Sequence, residues 1–321
     1  MKIIACAEAR ADRIEPVSFE MIEAARSLAG DGDEVIVFFA GKPAADAAVA
    51  FGAADRLVAA HSDEAELVPA ESYARILREV IAAEDAALVL VPYSASGLDI
   101  AAEVAARKGW PLVAYVNAVT HDADGIRATA QMYGGKLLAE CQVTLPAVLM
   151  VNPGAFAEAV PAALAANKVR EIDASGHVRN GKVKLVAVEL PDPADVDLAT
   201  AERIVCVGRG VGDAGNIDPV RNLAALLNAE IAGSRPVVDS GWLPRARQVG
   251  KSGRKVKPKL YFALGVSGAP EHLEGMAQAG VIVAVNTDAN APIFNVAHYG
   301  VTCDLSELVE TLTEKLQAAS G

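Results

Sequence analysis

The sequence predicts a two-domain α/β protein, an N-terminal parallel-sheet α/β domain followed by a C-terminal doubly wound domain. Three observations carry this expectation. Short apolar runs alternate with helical patterns along most of the chain, as right-handed βαβ crossovers require. The residues are 52% apolar but only 5% aromatic, with alanine supplying much of the apolar share, which favours helices packed on sheets over a β-sandwich. The alternation breaks at Glu189–Glu202 (ELPDPADVDLATAE), an acidic stretch with two prolines that reads as a linker. The expected divisions are therefore residues 1–190, a linker over 191–202, and residues 203–321. Such a linker should let the second domain swing relative to the first.

The elements follow in order. Lys2–Ala7 and Glu34–Phe39 are strand-like apolar runs, with a helical pattern over Phe19–Leu28 between them. A helix is expected over Ala44–Phe51, a short strand at Leu57–Ala60, and a helix over Ala70–Ala83. Ala87–Val91 is wholly apolar, the signature of a parallel strand buried on both faces. A helix over Leu98–Lys108 stops before Gly109. Strand-like pieces follow at Leu112–Ala114, Gly125–Tyr133, Gly135–Val143 and Ala147–Val151, and the region from Gly125 to Val151 reads as an antiparallel addition. The second domain restarts with strand Arg203–Val207, loop Gly208–Gly215, helix Pro219–Asn228 and strand Glu230–Ala232. An irregular stretch, Gly233–Pro258, precedes strand Leu260–Leu264, helix Pro270–Gln278, strand Val281–Asn286, a short strand near Gly300–Cys303 and helix Leu305–Ala318.

Composition removes several function classes. A mean hydropathy of +0.27 with 22% charged residues excludes a disordered chain. The longest uncharged stretch, Cys141–Ala157, contains Gln142, Pro146, Asn152 and Pro153, so no membrane insertion is expected. The start, MKIIACAEARAD, is charged too early for a secretory signal, which implies a cytoplasmic protein. Cys6, Cys141, Cys206 and Cys303 are scattered, form no CxxC pair, and read as small buried strand residues rather than disulfides or metal ligands. The net charge of −12 lies wholly in residues 1–200; residues 201–321 hold 12 cations and 12 acids. Within that neutral half, Arg245, Arg247, Lys251, Arg254, Lys255, Lys257 and Lys259 form a basic run with no acid between them. It is either a solvated face or the seat of an anionic cofactor. Nucleic acid is excluded as a partner by the acidic whole and the lack of interleaved aromatics.

A run of about 25 residues without clear secondary structure in a compact domain is usually functional. GSRPVVDSGWLPRARQVGKSGRKVKP leaves a strand, so it belongs at the carboxyl edge of the sheet, where doubly wound folds bind ligands. Other small-residue loops leave neighbouring strands: Gly208-Arg209-Gly210, Gly265-Val266-Ser267-Gly268 and Asn286-Thr287-Asp288. Four such strand ends on one edge describe a nucleotide-cofactor crevice. GRGVGDAG is not a GxGxxG fingerprint, and GKSG is not a P-loop.

Taken in order, VGRGVG, GSRPVVDSGWLP, QVGKSGRKVKPKLYFALGVSGAPEHLEGM and VIVAVNTDANAPIFNVAHYGVTCDL closely resemble the C-terminal domain of the electron transfer flavoprotein alpha subunit family. The match runs over about 110 residues. The N-terminal domain resembles the family more loosely, through Tyr133-Gly134-Gly135-Lys136 and Pro153-Gly154-Ala155-Phe156. The resemblance implies a doubly wound, Rossmann-like FAD-binding domain, and an N-terminal domain that contacts a beta subunit in a heterodimer. It also implies an electron carrier with no organic substrate of its own, fed by flavin dehydrogenases such as acyl-CoA dehydrogenases. The downstream acceptor would be a quinone oxidoreductase or similar, and the beta subunit would hold AMP or a second FAD. Two rivals stand beside this reading: a bifurcating, NADH-dependent relative, and a non-flavin nucleotide-binding dehydrogenase or regulatory module.

Carried onto matching positions, the resemblance implies these flavin contacts. Arg209 would meet the phosphate end of the cofactor, and Ser234 with Arg235 would lie beside the isoalloxazine. Gln248-Val249-Gly250-Lys251-Ser252 would wrap the flavin, with the Ser252 hydroxyl near N5. Ser267-Gly268-Ala269-Pro270-Glu271-His272 would meet the phosphates and place His272 at the ring's C2 carbonyl. Asn286 and Asp304-Leu305 would serve the ribityl and adenosine parts. The sequence departs from the family in having Lys251-Ser252 where Gln-Thr is frequent and Trp242 where Phe is frequent. Serine keeps the hydroxyl, whereas lysine adds a positive charge. Reduced flavin carries negative charge near N1 and the C2 carbonyl, so a guanidinium and an imidazolium there raise the potential. Outside this motif order Arg235 reads as a surface charge and His272 as a polar helix-start residue. His61, His121 and His298 read as structural or solvated.

Overall fold

The computed structural model describes residues 1–10, 13–41, 50–62, 68–133, 135–184, 186 and 198–320. The chain divides into two compact units, Met1–Val188 and Glu189–Gly321. Most of the expected Ala44–Phe51 helix, Gly134, and residues 189–197 of the acidic linker lie outside the described residues.

The first unit is built on one nine-stranded sheet. Its strands are β1 (Lys2–Ala7), β4 (Glu34–Ala40), β5 (Arg56–His61), β6 (Leu88–Pro92), β7 (Leu112–Asp122), β8 (Gly125–Met132), β9 (Leu137–Val143), β10 (Ala147–Val151) and β11 (Val169–Asp173). A two-residue hairpin, β2 (Ala9–Arg10) with β3 (Arg13–Ile14), follows β1. The strand order is β11-β5-β4-β1-β6-β10-β7-β8-β9. From β11 to β7 every pair is parallel, and only β7-β8-β9 is antiparallel. Helices Val17–Leu28, Ala70–Glu84 and Ala95–Lys108 cover the parallel part, so β6 and β10 are apolar throughout and β1 and β4 are apolar after their first residues, Lys2 and Glu34.

This corrects the sequence reading at β10. An apolar run carries no direction, and Ala147–Val151 lies between β6 and β7 inside the parallel core, not in the antiparallel addition. Strand β7 is also far longer than the three residues expected. Its register shifts between Val116 and Ala118, beside Tyr115 at φ 59°, and this bulge breaks the alternation by which the strand would be read.

The second unit is a five-stranded, wholly parallel sheet: β12 (Arg203–Val207), β13 (Glu230–Gly233), β14 (Leu260–Leu264), β15 (Val281–Asn286) and β16 (Tyr299–Thr302). The order β13-β12-β14-β15-β16 makes the fold doubly wound, with the reversal between β12 and β14. Helices Ile217–Leu226 and Leu305–Ser320 pack on one face with Val205, Val207 and Leu264. On the other face Val249, Val256, Met276 and Ile293 cover Ile204, Tyr261 and Ala263. Leu198, at the end of the expected linker, is buried in that second core.

Two expectations need correction in this unit. The stretch Gly233–Pro258 is not structureless: Arg235–Asp239 forms a short helix started by Pro236, and Arg245–Arg247 a 3-10 turn. The helix expected over Pro270–Gln278 is only Pro270–Leu273, followed by turns. Gly275 explains the early stop, because the chain there meets Gly250 so closely that a Cβ would lie 2.5 Å from the Gly250 backbone.

Candidate cofactor site

Because all five strands of the second sheet run the same way, the four loops singled out in the sequence leave one edge. At the β12/β14 reversal the two loops touch through backbone alone. A Cβ on Gly208 would lie 2.1 Å from the Gly265 carbonyl oxygen, and one on Gly210 would lie 2.8 Å from Gly265 Cα. Only glycine permits that crossing. Leu305, buried at the start of the last helix, packs beside Gly265, while Asp304 caps that helix by accepting from Ser306 N–H at 2.8 Å.

A second cluster forms around the strap Gln248–Arg254. Ser234 N–H donates to the Val207 carbonyl (3.0 Å) and Val249 N–H to the Gly233 carbonyl (3.0 Å), tying the strap to the end of β13. Gln248 is buried, and its Nε2 donates to Ser252 Oγ at 2.9 Å, fixing the hydroxyl on the exposed turn. Lys251 N–H donates to the Glu271 carbonyl at 2.7 Å, which joins the strap to the Ser267–His272 loop. Gly250, at φ 137°, allows the same approach. The Ser267 carbonyl accepts from Ile293 N–H (3.0 Å), and Asn286 Nδ2 donates to the Val266 carbonyl (2.9 Å). The structure thus brings together Ser234, Gln248, Val249, Gly250, Lys251, Ser252, Glu271 and His272. Gly268, Ala269 and Pro270 lead into this cluster, and Asn286 is linked to it through Val266. Asp304 and Leu305 stand with the glycine crossing.

Arg209 is exposed on its 3-10 turn within that crossing. Arg235 is also exposed, with Nε 3.3 Å from Asp239 Oδ2, an i,i+4 pair. The basic run is partly committed within the unit: Arg247 pairs with Glu230 (3.2 Å), Lys251 and Lys255 flank Glu274 (3.7 and 3.4 Å), and Lys259 pairs with Glu202 (2.7 Å). Glu274 escaped the sequence reading because it lies beyond the run in the chain and meets it only through the fold.

His272 is one of the three buried polar side chains of the site, with Ser234 and Gln248. It is buried, and Nε2 lies 3.0 Å from the Tyr261 hydroxyl on β14. Burial lowers its pKa to about 4, with the Val249 backbone acting the other way, so the ring is neutral near pH 7 unless an anion is held beside it. Its Nδ1 is buried and has no hydrogen-bond partner among the described residues. Tyr261 was missed by the sequence reading. The signal was present: a tyrosine in the otherwise apolar strand LYFAL must find a partner for its hydroxyl. His121 and His298 serve the fold, each bonding a backbone group through Nδ1 (Leu28 O, 2.7 Å; Ile282 N–H, 3.0 Å). Cys6 and Cys206 are buried in strands as expected, whereas Cys141 and Cys303 are partly exposed and Cys303 lies just past β16; all four are free.

The donor set suits a dinucleotide such as FAD. It offers a buried imidazole nitrogen without a partner, the hydroxyls of Ser234 and Ser252, and two exposed guanidinium groups along one sheet edge. An open parallel sheet carrying such loops at its reversal point is the architecture of proteins that take nucleotide cofactors.

Comparison with known proteins narrows that class. Residues 3–177 match the electron transfer flavoprotein domain, and residues 197–277 match the electron transfer flavoprotein FAD-binding domain. The chain is 34% identical over 325 residues to the electron transfer flavoprotein subunit alpha of Methylophilus methylotrophus, covering 99% of each protein. It is 36% identical over 311 residues to that of Mycobacterium tuberculosis H37Rv, covering 96% of each. With Protein FixB of Bradyrhizobium diazoefficiens it shares 38% identity over 256 residues, 77% of this chain and 68% of that one. The chain belongs to the electron transfer flavoprotein alpha subunit family. Asn286, Asp304 and Leu305 lie beyond the matched FAD-binding segment.

Proposed function

We propose that the second unit holds one FAD along its carboxyl edge, and that the chain works as the alpha half of a heterodimer with a beta subunit. FAD, when bound, supplies the one- and two-electron chemistry by which reducing equivalents pass from flavin dehydrogenases, acyl-CoA dehydrogenases among them, to an acceptor such as a quinone oxidoreductase. The residues of this chain bind and orient it. The hydroxyl of Ser252, held by Gln248, donates to the ring edge, Arg235 and His272 face its electron-rich side, and Arg209 meets the phosphates. AMP or a second FAD belongs to the beta subunit in this reading.

The observation that carries it is where the second unit hides its polar side chains. Among the described residues its buried polar side chains are Ser234, Gln248 and His272, and all three lie in the strap cluster. Burying polar groups is costly unless they are satisfied, so their concentration at one edge speaks for a ligand there. The test is purification with the beta subunit followed by flavin analysis. One FAD per heterodimer released from this chain's site is expected, and Gln248→Ala should lower that content by about tenfold in affinity. Bound NAD or ADP in place of flavin would overturn the reading.

A further inference from the structure

Tyr261 is the largest fully buried side chain of the second unit, and its hydroxyl ends in a narrow polar chain. The Cys206 thiol of β12 interacts electrostatically with the phenol, and His272 Nε2 lies 3.0 Å from the phenol oxygen. Two proton arrangements fit three groups in a row. In one, the phenol donates to Nε2, which must then be a bare lone pair, so the ring proton sits on Nδ1. In the other, Nε2–H donates to the phenol oxygen, the phenol donates to sulfur, and Nδ1 is left as a buried bare acceptor.

The acceptors separate them. Sulfur is a poor acceptor, so a phenol placed between a thiol and an imidazole gains more from the imidazole, which puts the ring proton on Nδ1. That nitrogen is buried, lies on the side of the strap, and has no partner among the described residues. A buried donor without a partner costs free energy in the ligand-free chain and returns it to any acceptor that arrives.

We propose that Tyr261 is a positioning residue of this site: its phenol fixes the His272 tautomer that keeps the proton on Nδ1, leaving one neutral buried N–H to donate to an acceptor atom of the bound cofactor. The tautomer rests on the 3.0 Å Tyr261–His272 contact, the unpartnered Nδ1 and the weakness of sulfur as an acceptor; the cofactor half rests on the reading that FAD occupies this edge.

The experiment uses the full chain with ¹⁵N-labelled histidine, reading the two ring nitrogens by long-range ¹H–¹⁵N correlation at pH 7. His272→Gln identifies the signal by its loss. The proton is expected on Nδ1 in the unaltered chain. In Tyr261→Phe, which keeps the ring and removes only the hydroxyl, the Nε2–H form should become the major one, and FAD affinity of the complex should fall about tenfold. A proton on Nε2 in the unaltered chain overturns the proposal, and this measurement decides even if the phenylalanine variant does not fold. An unchanged tautomer in Tyr261→Phe likewise overturns it. A shifted tautomer with unchanged FAD affinity removes the cofactor half, and a chain that binds no FAD at all defeats the proposed function while leaving the tautomer result standing.

Discussion

The two units share a parallel α/β architecture but bury their polar groups differently. In the first, the buried carboxylate Glu84 lies at the amino edge of the sheet, where β1, β4, β5 and β11 begin. It takes Arg56 at 2.5 Å, Arg170 at 3.0 Å and Lys2 at 3.8 Å, while Arg56 also binds Glu34. At the carboxyl edge Ser94 pairs with Glu8, Gly154 N–H donates to Glu20 (2.6 Å), and Asn152 Nδ2 donates to Asn117 (2.7 Å), while Asn152 Oδ1 and His61 Nδ1 are buried without a hydrogen-bond partner among the described residues. In the second unit the buried polar side chains sit at the carboxyl edge, and His272 Nδ1 is left without a partner. Both carboxyl edges keep an unsatisfied buried atom; the difference is that the first unit also buries a paired carboxylate at its amino edge, which stabilises the fold, whereas the second unit keeps its buried polar side chains together at the carboxyl edge, where a ligand can meet them.

The largest expected effect comes from the glycine crossing. Gly208→Ala would drive a Cβ into the Gly265 carbonyl, where neither backbone can yield without moving a strand end. A loss of about 3 kcal/mol or more is expected, at the upper end for overpacking. Calorimetry should show the second unit's transition lowered or lost while that of the first persists. A single transition shifted as a whole would merge the two units energetically and break the comparison.

Acid should separate the units next. His272 has a folded pKa near 4, below the ordinary value of about 6.5, so the unfolded chain binds the proton first. The second unit therefore loses stability as pH falls from about 6.5 towards 4, by at most about 3 kcal/mol. In the first unit the Arg56 guanidinium lowers the pKa of Glu84, and such a carboxylate stabilises fully above its unfolded pKa. Its contribution fades only as pH falls below about 4.5. Urea titrations between pH 7 and 4 should show this order, and His272→Gln should flatten the slope of the second unit. A slope that survives His272→Gln would assign the acid sensitivity to other groups.

Glu84→Ala sharpens the contrast from the other side. It leaves Arg56, Arg170 and Lys2 without their shared carboxylate and should cost about 2–3 kcal/mol, since those cations keep some solvent. Flavin content should not change. Loss of flavin without loss of stability would contradict the division of labour.

How much of this was legible in the chain depends on distance along it. The apolar strands and the four small-residue loops could be read because each is a local pattern, and a parallel sheet converts local loops into one edge. Strand β11 was missed because VREID mixes charged with apolar residues at an exposed sheet edge. The Glu84 cluster was invisible because Lys2, Glu34, Arg56 and Arg170 reach it from separate strands. The motif order pointed to His272, but its charge state depends on burial, and no spacing rule connects it to its hydrogen-bond partner Tyr261.

The smallest expected change in stability belongs to Arg235, and it tests whether the second edge is tuned for a charge. The side chain is about two-thirds exposed and bound only to Asp239 among the described residues, so Arg235→Ala should cost no more than about 0.5 kcal/mol. If the guanidinium faces a bound flavin, the same change removes a cation that favours the reduced, more negative cofactor, and the midpoint potential should fall. A hydrogen bond to a charged group is worth about 1.5–3 kcal/mol when shielded from water. On a scale of about 59 mV per tenfold, that is roughly 60–130 mV for a one-electron step. Solvent screening at so exposed a position reduces the expectation to about 20–60 mV, and higher salt should shrink it further. Arg235→Lys should recover part of the loss, because a flexible ammonium does not reproduce the planar fork. Potentiometry of variants that keep their FAD decides the point: an unchanged potential in Arg235→Ala would mean that this arginine belongs to the solvated face and that the ring lies elsewhere along the edge.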